Sequence, residues 1–401
     1  MKFDFIRAED YCDSVRDGTH DTPKHTENGF KLVTGKNVKN GQIDPMGAYY
    51  ISEKDYKRIN ERSLVEQWDV LMSMIGTVGE VAVVKNTPDY AIKNVALFKC
   101  GGSELKGKWL SYYLQSPAAK GHMNGNQKGS SQQFLSSKQL RDLPVIVADE
   151  SLMQIIVNIL STYDDLIENN QKQIKLLEEA AQRLYKVWFV DLRFPGYETT
   201  PIVDGVPEGW KKDRADSFFD ITIGKTPPRA ESHWFTSGEK GIPWLSISDM
   251  GNAGVYAFVT SEGLTEEAVK KHNMKVVPAG TIFVSFKLTV GRVSIATGKM
   301  CTNEAIAHFR VDDCLRYYTY LYLKAFEYDK LGNTSAISKA VNSKIIKAMP
   351  FIKKKKKTIN LFSAATTPLF KEIYAKQAQT LSLIEARDRL LPKLMSGEIE
   401  V

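Results

Sequence analysis

The chain has 401 residues, of which 43% are hydrophobic and 25% charged, with a formal net charge of +7. That length leaves room for two or three domains with sizeable cores, and the composition excludes a disordered or fibrous chain. Met1-Lys2-Phe3-Asp4-Phe5-Ile6-Arg7 lacks the apolar core of a secretory signal. No run of about 18 apolar residues could span a bilayer, so no membrane partner is expected and the expected location is cytoplasmic. Cys12, Cys100, Cys301 and Cys314 show no CxxC spacing, which argues against a zinc ribbon or a disulfide framework.

In chain order, residues 1–148 mix short apolar runs with Gly, Asn, Ser and Pro breaks. Val70-Leu71-Met72-Ser73-Met74-Ile75 and Val81-Ala82-Val83-Val84 read as strands flanking a turn at Gly76-Thr77-Val78-Gly79. Trp109-Leu110-Ser111-Tyr112-Tyr113-Leu114 reads as helix, stopped before Pro117. The segment 149–190 differs in kind, because no glycine falls between Gly129 and Gly196 and no proline between Pro144 and Pro195. A helix from Ser151 of some 40 residues would be roughly 60 Å long. Its seam runs Leu152, Ile156, Ile159, Tyr163, Leu166, then Asn170 and Gln173, then Leu177, Ala180, Leu184 and Val187. That is coiled-coil spacing with a polar interruption, which fits either a register-setting contact or a position facing water.

Residues 191–209 carry Pro195, Gly196, Pro201, Gly205 and Pro207 and read as a linker. A second α+β domain follows at 210–350, where Thr281-Ile282-Phe283-Val284-Ser285-Phe286 matches the strand of the first. Residues 351–401 close the chain with a second helical spacer, whose seam is Ile359, Ser363, Thr366, Phe370, Ile373, Gln377, Thr380, Ile384, Arg387, Leu391 and Leu394. Thr367 and Pro368 fit a helix cap and first turn, which would shorten that helix. The five lysines Lys353 to Lys357 read as a solvated face at a helix start rather than as phosphate ligands.

The chain therefore says nearly the same thing twice. Gly29-Phe30-Lys31-Leu32-Val33-Thr34 returns as Gly241-Ile242-Pro243-Trp244-Leu245-Ser246, and Thr77-Val78-Gly79-Glu80-Val81 as Thr289-Val290-Gly291-Arg292-Val293. Both pairs lie about 212 positions apart, far longer than a solenoid unit, so a whole domain is duplicated. The expected fold is α+β: two tandem globular domains alternating with two long helices. A pseudo-twofold repeat makes those helices pair as an antiparallel coiled coil that fixes the separation of the domains.

Catalytic motifs are missing. Gly224-Lys225-Thr226 lacks the upstream glycine of a phosphate-binding loop, and no GxGxxG after a strand, HExxH or GxSxG is present. The six histidines form no ligand-spaced cluster, so neither a metal site nor catalysis is expected. Residue types that read base edges and phosphates are plentiful instead. The candidates in the first domain are Lys36, Asn37, Lys39, Asn40, Thr77, Gly79, Asn126, Lys128, Ser130, Ser131 and Gln132. Those in the second are Arg229, Ser246, Ser248, Asp249, Lys287, Thr289, Gly291, Arg292, Asn333, Thr334, Ser335 and Lys339. Polar loops with turn glycines explain any one stretch equally well. Polarity at the same positions in both copies, with changed identities, is what points to two readers of different DNA half-sites.

Five stretches carry a family resemblance. Asp17-Gly18-Thr19-His20-Asp21-Thr22-Pro23, with His20-Asp21 inserted, and Gly224-Lys225-Thr226-Pro227 resemble a Gly-x-Thr-Pro loop. Val206-Pro207-Glu208-Gly209-Trp210, Trp188-Phe189-Val190-Asp191-Leu192-Arg193-Phe194-Pro195-Gly196 and Arg389-Leu390-Leu391-Pro392-Lys393-Leu394-Met395-Ser396-Gly397-Glu398-Ile399 complete the set. In this order the chain resembles the specificity subunit of type I restriction–modification enzymes along its whole length. The resemblance implies a non-catalytic subunit whose two target recognition domains each read half of a split site in double-stranded DNA. It implies two methyltransferase subunits docked on the helices and restriction subunits joining them, with S-adenosylmethionine, ATP and magnesium on those partners. Residues expected in the spacer and its docking face are Leu152, Ile156, Ile159, Tyr163, Asn170, Leu177, Leu184, Phe370, Ile373, Gln377, Ile384 and Leu391. A recognition chain of another restriction–modification type, a coiled-coil adaptor that binds protein, and a nuclease using Asp69 and Glu80 are the alternative readings.

Overall fold

The computed structural model describes residues 3–39, 41–126, 134–238, 240–331 and 341–401, without the side chains of 125 and 126. It divides into two compact units, one of residues 1–167 with 382–401 and one of residues 168–381. Each unit thus combines a globular α+β domain with part of both long helices.

In the first unit, Asp4–Arg7 pairs antiparallel with Pro144–Val147, closing the domain where the first long helix begins. A four-stranded sheet runs Ser14–Asp17, Val95–Lys99, Val70–Ser73, Val81–Val83, and a three-stranded sheet runs Tyr49–Ile51, Phe30–Thr34, Tyr90–Lys93. The expected strands at 70–75 and 81–84 are both present, paired antiparallel through Val70↔Val83. The expected helix is Glu104–Gln115, capped by Ser103, whose hydroxyl accepts from the Lys106 amide. Its Trp109 is fully buried and donates to the Ile146 carbonyl at 2.7 Å.

The second unit repeats this plan with altered side chains. Lys211–Arg214 pairs with Pro350–Lys353, and a five-stranded sheet runs Asp220–Ile223, Ile306–Arg310, Ile282–Ser285, Val293–Ala296, Tyr256–Ala257. Tyr318, on the helix Asp313–Ala325, takes the role of Trp109: its hydroxyl donates to the Ile352 carbonyl at 2.7 Å. The stretch expected to be a linker is folded. Ile202–Val203 and Val206–Pro207 make a tight hairpin, and Phe194 is buried against Trp210, ring centroids 5.1 Å apart.

The first long helix spans Glu150–Tyr185 and ends in a wider π turn, Lys186–Val190. The second spans Lys356–Ser396 and is the longer, at 41 residues against 36, which corrects the expected break at Thr367-Pro368. Pro368 cannot donate to the Ala364 carbonyl, but Ala364 is exposed, so water can take that acceptor. The Thr366 and Thr367 hydroxyls bond back to the Phe362 and Ser363 carbonyls, at 2.8 and 2.6 Å.

Within each unit the helices are antiparallel. In the first, Leu152, Ile156 and Leu160 share a core with Leu391, Leu394 and Met395. Arg387 donates to Asp164 at 2.7 Å, and the same carboxylate accepts from the Tyr112 hydroxyl at 2.6 Å, tying the helices to the domain. In the second, Asn170 is buried and its Nδ2 donates to Gln379 Oε1 at 3.1 Å, so the polar break faces the partner helix. Gln377 instead serves the globular domain: it donates to the Ala253 carbonyl at 2.9 Å and accepts from the Tyr256 amide at 3.0 Å.

The rest of the seam holds with shifts of one residue, except at Val187, which is 36% exposed. Ile167 and Ala181 are buried where Leu166 and Ala180 were expected, and Leu166 is 43% exposed. Phe370, Ile373 and Leu391 are buried; Ile159, Tyr163, Leu177, Leu184 and Ile384 are half-buried. Leu152 and Ile156 lie inside the first core and offer no surface for docking.

The lysine run also departs from expectation at one position. Lys353 and Lys355 to Lys357 are exposed, but Lys354 is buried with its ammonium 3.7 Å from the Trp210 ring centroid and within 5.5 Å of those of Phe189 and Tyr318. Burial pushes its pKa down to about 7. The folded pKa lies below the unfolded one, so the cost of the charge is present in full below pH 7 and relieved as pH rises towards 10. Cation–π attraction offsets part of it. Lys354→Met is therefore expected to stabilise the protein by roughly 2 kcal/mol at pH 6, with the gain shrinking by pH 10. Thermal unfolding across that range checks it, and a gain independent of pH would contradict a buried charge.

Candidate nucleic-acid interface

The most closely repeated local structure is a turn. Ser73 ends one strand, and its hydroxyl donates to the Thr77 carbonyl at 2.5 Å while accepting from the Glu80 amide at 2.9 Å. Ser285 does the same in the second domain, donating to the Thr289 carbonyl at 2.5 Å and accepting from the Arg292 amide at 3.0 Å. The Gly79 and Gly291 amides close the turns onto the Ser73 and Ser285 carbonyls, both at 2.9 Å. Both glycines sit at positive φ, +93° and +89°, where a side chain would strain the backbone. Held by these bonds, each turn presents an exposed threonine, Thr77 or Thr289. These serines escaped the sequence reading, although both sit at the same repeat offset and end matching strands.

Arg292 is held down rather than projecting: it donates to the Ile247 carbonyl at 2.6 Å, fastening the turn to the helix Ile247–Asn252. The loops on either side of the turn were expected to be readers, and the structure separates them. Asn37 accepts from the Thr34 amide and hydroxyl, both at 3.0 Å. Asp249 accepts from the Ser246 amide at 3.0 Å and hydroxyl at 2.8 Å. These are the same capping box built twice, so Asn37, Ser246 and Asp249 hold their own chain. Lys36 and Ser248, one residue before the second member of each box, are exposed, as is Lys39.

Residues 124–126 were read as loop but end the helix Pro117–Asn126, on which Met123 is buried. Asn40, Lys128, Ser130, Ser131, Gln132, Asn333, Thr334, Ser335 and Lys339 lie outside the described residues, as does the Asn126 side chain. Where the chain is described again it joins the edge beside each turn: the Leu135 amide donates to the Met74 carbonyl, and the Val341 amide to that of Phe286, both at 3.1 Å.

The Gly-x-Thr-Pro loops lie on paired charges. Asp17 is buried, and one oxygen bonds Arg62 while the other lies 2.8 Å from His20 Nε2. The inserted His20 thus packs onto its own domain. In the second domain Thr226 donates to Glu304, and Arg229 lies over the Phe235 and Trp244 rings, 4.2 and 4.8 Å from their centroids, while bonding Glu262 at 2.7 Å. Burial pulls the Glu304 carboxyl upward, but Thr226, its own backbone, Lys287 and Arg229 outweigh it and hold the group low. Arg229 and Lys287 therefore belong to one charged surface, with the Arg229 guanidinium oriented by stacking. Among the described residues no three His, Cys, Asp or Glu side chains are placed to hold a metal, and no helix is long and apolar enough to cross a membrane.

A turn fixed by its own hydroxyl, flanked by exposed lysine, serine and threonine, can offer donors to base edges and phosphates with little ordering cost. The comparisons with known proteins agree with that chemistry. Residues 2–179 and 207–357 match the type I restriction modification DNA specificity domain. The chain belongs to this family, and its two recognition domains with two long helices are those of a type I specificity subunit.

The type I restriction enzyme MjaIX specificity subunit of Methanocaldococcus jannaschii is 27% identical, over 88% of this chain and 83% of its own length. The HindI specificity subunit of Haemophilus influenzae is 25% identical, over 64% and 69%. A crystal structure of the type I S subunit from M. genitalium shares the fold, with a TM-score of 0.56 at 13% identity, covering 98% of this chain and 96% of that one.

Replacing Ser73 or Ser285 by alanine removes both bonds of one clip. Each change is expected to cost about 1 kcal/mol of stability and to weaken duplex binding by a larger factor than that loss implies. Thermal unfolding and filter binding compare the two; unaltered DNA affinity would show that the turns do not face the duplex.

Proposed function

We propose that this chain is the non-catalytic, sequence-reading subunit of a type I restriction–modification complex. Each recognition domain reads one half of a bipartite site in double-stranded DNA from the major groove, and the paired helices set the unread spacing. Two methyltransferase subunits dock on the helices, and restriction subunits join that core. S-adenosylmethionine, ATP and magnesium act on those partners, and this chain supplies position alone. The names of the relatives support the assignment.

The observation that carries the reading is the turn built twice on the same serine clip while its exposed neighbours differ, Lys36 against Ser248 and Gly76 against Leu288. A shared frame with changed contacts is what two readers of unlike half-sites require. The helices supply a surface for partners as well: Ile155 and Leu166 are 44% and 43% exposed and extend a stripe with half-buried Ile159 and Tyr163. An apolar stripe of this kind is characteristic of a protein-docking face.

Co-expression with a methyltransferase subunit, followed by modified-base sequencing, tests the proposal. The expected product is a split motif with N6-methyladenine in each half. A continuous motif, or no methylation, would overturn the two-reader model. Binding of the complex to that site should also weaken steeply between low and moderate salt, because phosphate contacts release counterions. A chain that ignores duplex DNA and binds only protein would be an adaptor instead.

A further inference from the structure

The two clipped turns share their hydrogen bonds but differ at the residue before the exposed threonine. In the first domain this is Gly76, at φ +78°, where an added Cβ would meet nothing within 4 Å. In the second it is Leu288, at φ +62°. A left-handed backbone is strained for a residue with a β-carbon, and a γ-branched apolar residue has no local hydrogen bond to offset it.

The side chain is 83% exposed, so packing does not repay that strain. Leucine is thus poorly suited both to this backbone and to this surface, in a turn that its homologous copy makes with glycine. Strained residues held by a well-determined frame are a mark of function. Here the frame is the Ser285 clip, and the neighbours are Lys287, whose ammonium lies 5.6 Å from the Phe286 ring centroid, and exposed Thr289.

We propose that Leu288 is a specificity-determining residue, packing its isobutyl group on the 5-methyl group of a thymine in the major groove. Apolar contact is how a protein distinguishes that methyl from the hydrogen-bonding edges around it. Lys287 is placed for the phosphate backbone and Thr289 for a polar base edge, so the leucine sits between a positioning contact and a reading one. The rigid turn keeps the ordering cost low. Gly76 makes no such contact, and the first domain does not use this position to read a thymine. The inference rests on the DNA-reading role proposed above and adds a residue and a base to it.

The test uses the complex with its methyltransferase subunits and a duplex carrying the split motif found by modified-base sequencing. Each thymine of both halves, on either strand, is replaced singly by deoxyuridine, which removes only the methyl group. The wild-type complex is expected to lose about four-fold in affinity at one thymine of one half, the value of one buried methyl-sized group. Leu288→Gly is expected to bind the thymine and deoxyuridine duplexes equally, with an unchanged or raised melting temperature. Leu288→Asn, which tolerates the same backbone without an apolar group, should behave alike. A wild-type complex indifferent to every replacement, or a Leu288→Gly complex that keeps the dependence, overturns the assignment. If the complex yields no split motif, the two-reader proposal fails and this one with it. If the motif is intact and only the deoxyuridine series is flat, this proposal alone fails.

Discussion

A helix of 36 residues with apolar groups every three or four positions cannot stand in water by itself, and that constraint organises each half of the molecule. In each unit the stripe is covered twice, by the antiparallel segment of the other long helix and by the globular domain. Ile156, Leu391 and Trp109 share one core, and Ala181, Phe370 and Tyr318 share the other. The globular domains are therefore fastened to the helices by the same burial that stabilises them. Polar contacts then fix the register: Arg387 and Tyr112 on Asp164 in one unit, Gln377 on the Ala253–Tyr256 backbone in the other. A buried polar group is left unsatisfied if either partner slips, so these contacts specify position more than they add stability.

The duplication preserved the frame and released the surface. Trp109 became Tyr318, yet both donate to the carbonyl of the strand that closes the domain. Thr34 with Asn37 became Ser246 with Asp249, and the capping box survived. Ser73 and Ser285 clip their turns alike. Outside these points the copies differ in the core, where Leu32 stands against Trp244, and at the exposed turns, where Gly76 stands against Leu288.

Much of the architecture was legible in the sequence because periodicity reports burial. The long helices, the strands on either side of each turn and the repeat all followed from spacing, whereas spacing left open whether Asn170 faces water or the partner helix. The misread positions share a physical cause: a polar side chain near a turn either meets solvent or bonds its own backbone, and composition does not separate the two. Asn37 and Asp249 were taken for readers and are caps. Thr367-Pro368 was taken for a helix start, but with two hydroxyls bonding backward and Ala364 on the exposed face the helix passes through. Lys354 looked like part of a solvated run, since the rings that surround it come from residues 189, 210 and 318. Leu288 carried no signal, because a left-handed leucine is visible only once the backbone is.

If paired helices hold the two readers at a set distance, as proposed, lengthening both helices must lengthen the unread spacer. Seven residues inserted beside Asn170, with seven matching residues beside Gln379, add about 10 Å to both helices while keeping the seam in phase. The expected product is a methylated motif with both halves unchanged and an unread spacer longer by at most about three base pairs. A folded, active complex that still methylates the original spacing would contradict it.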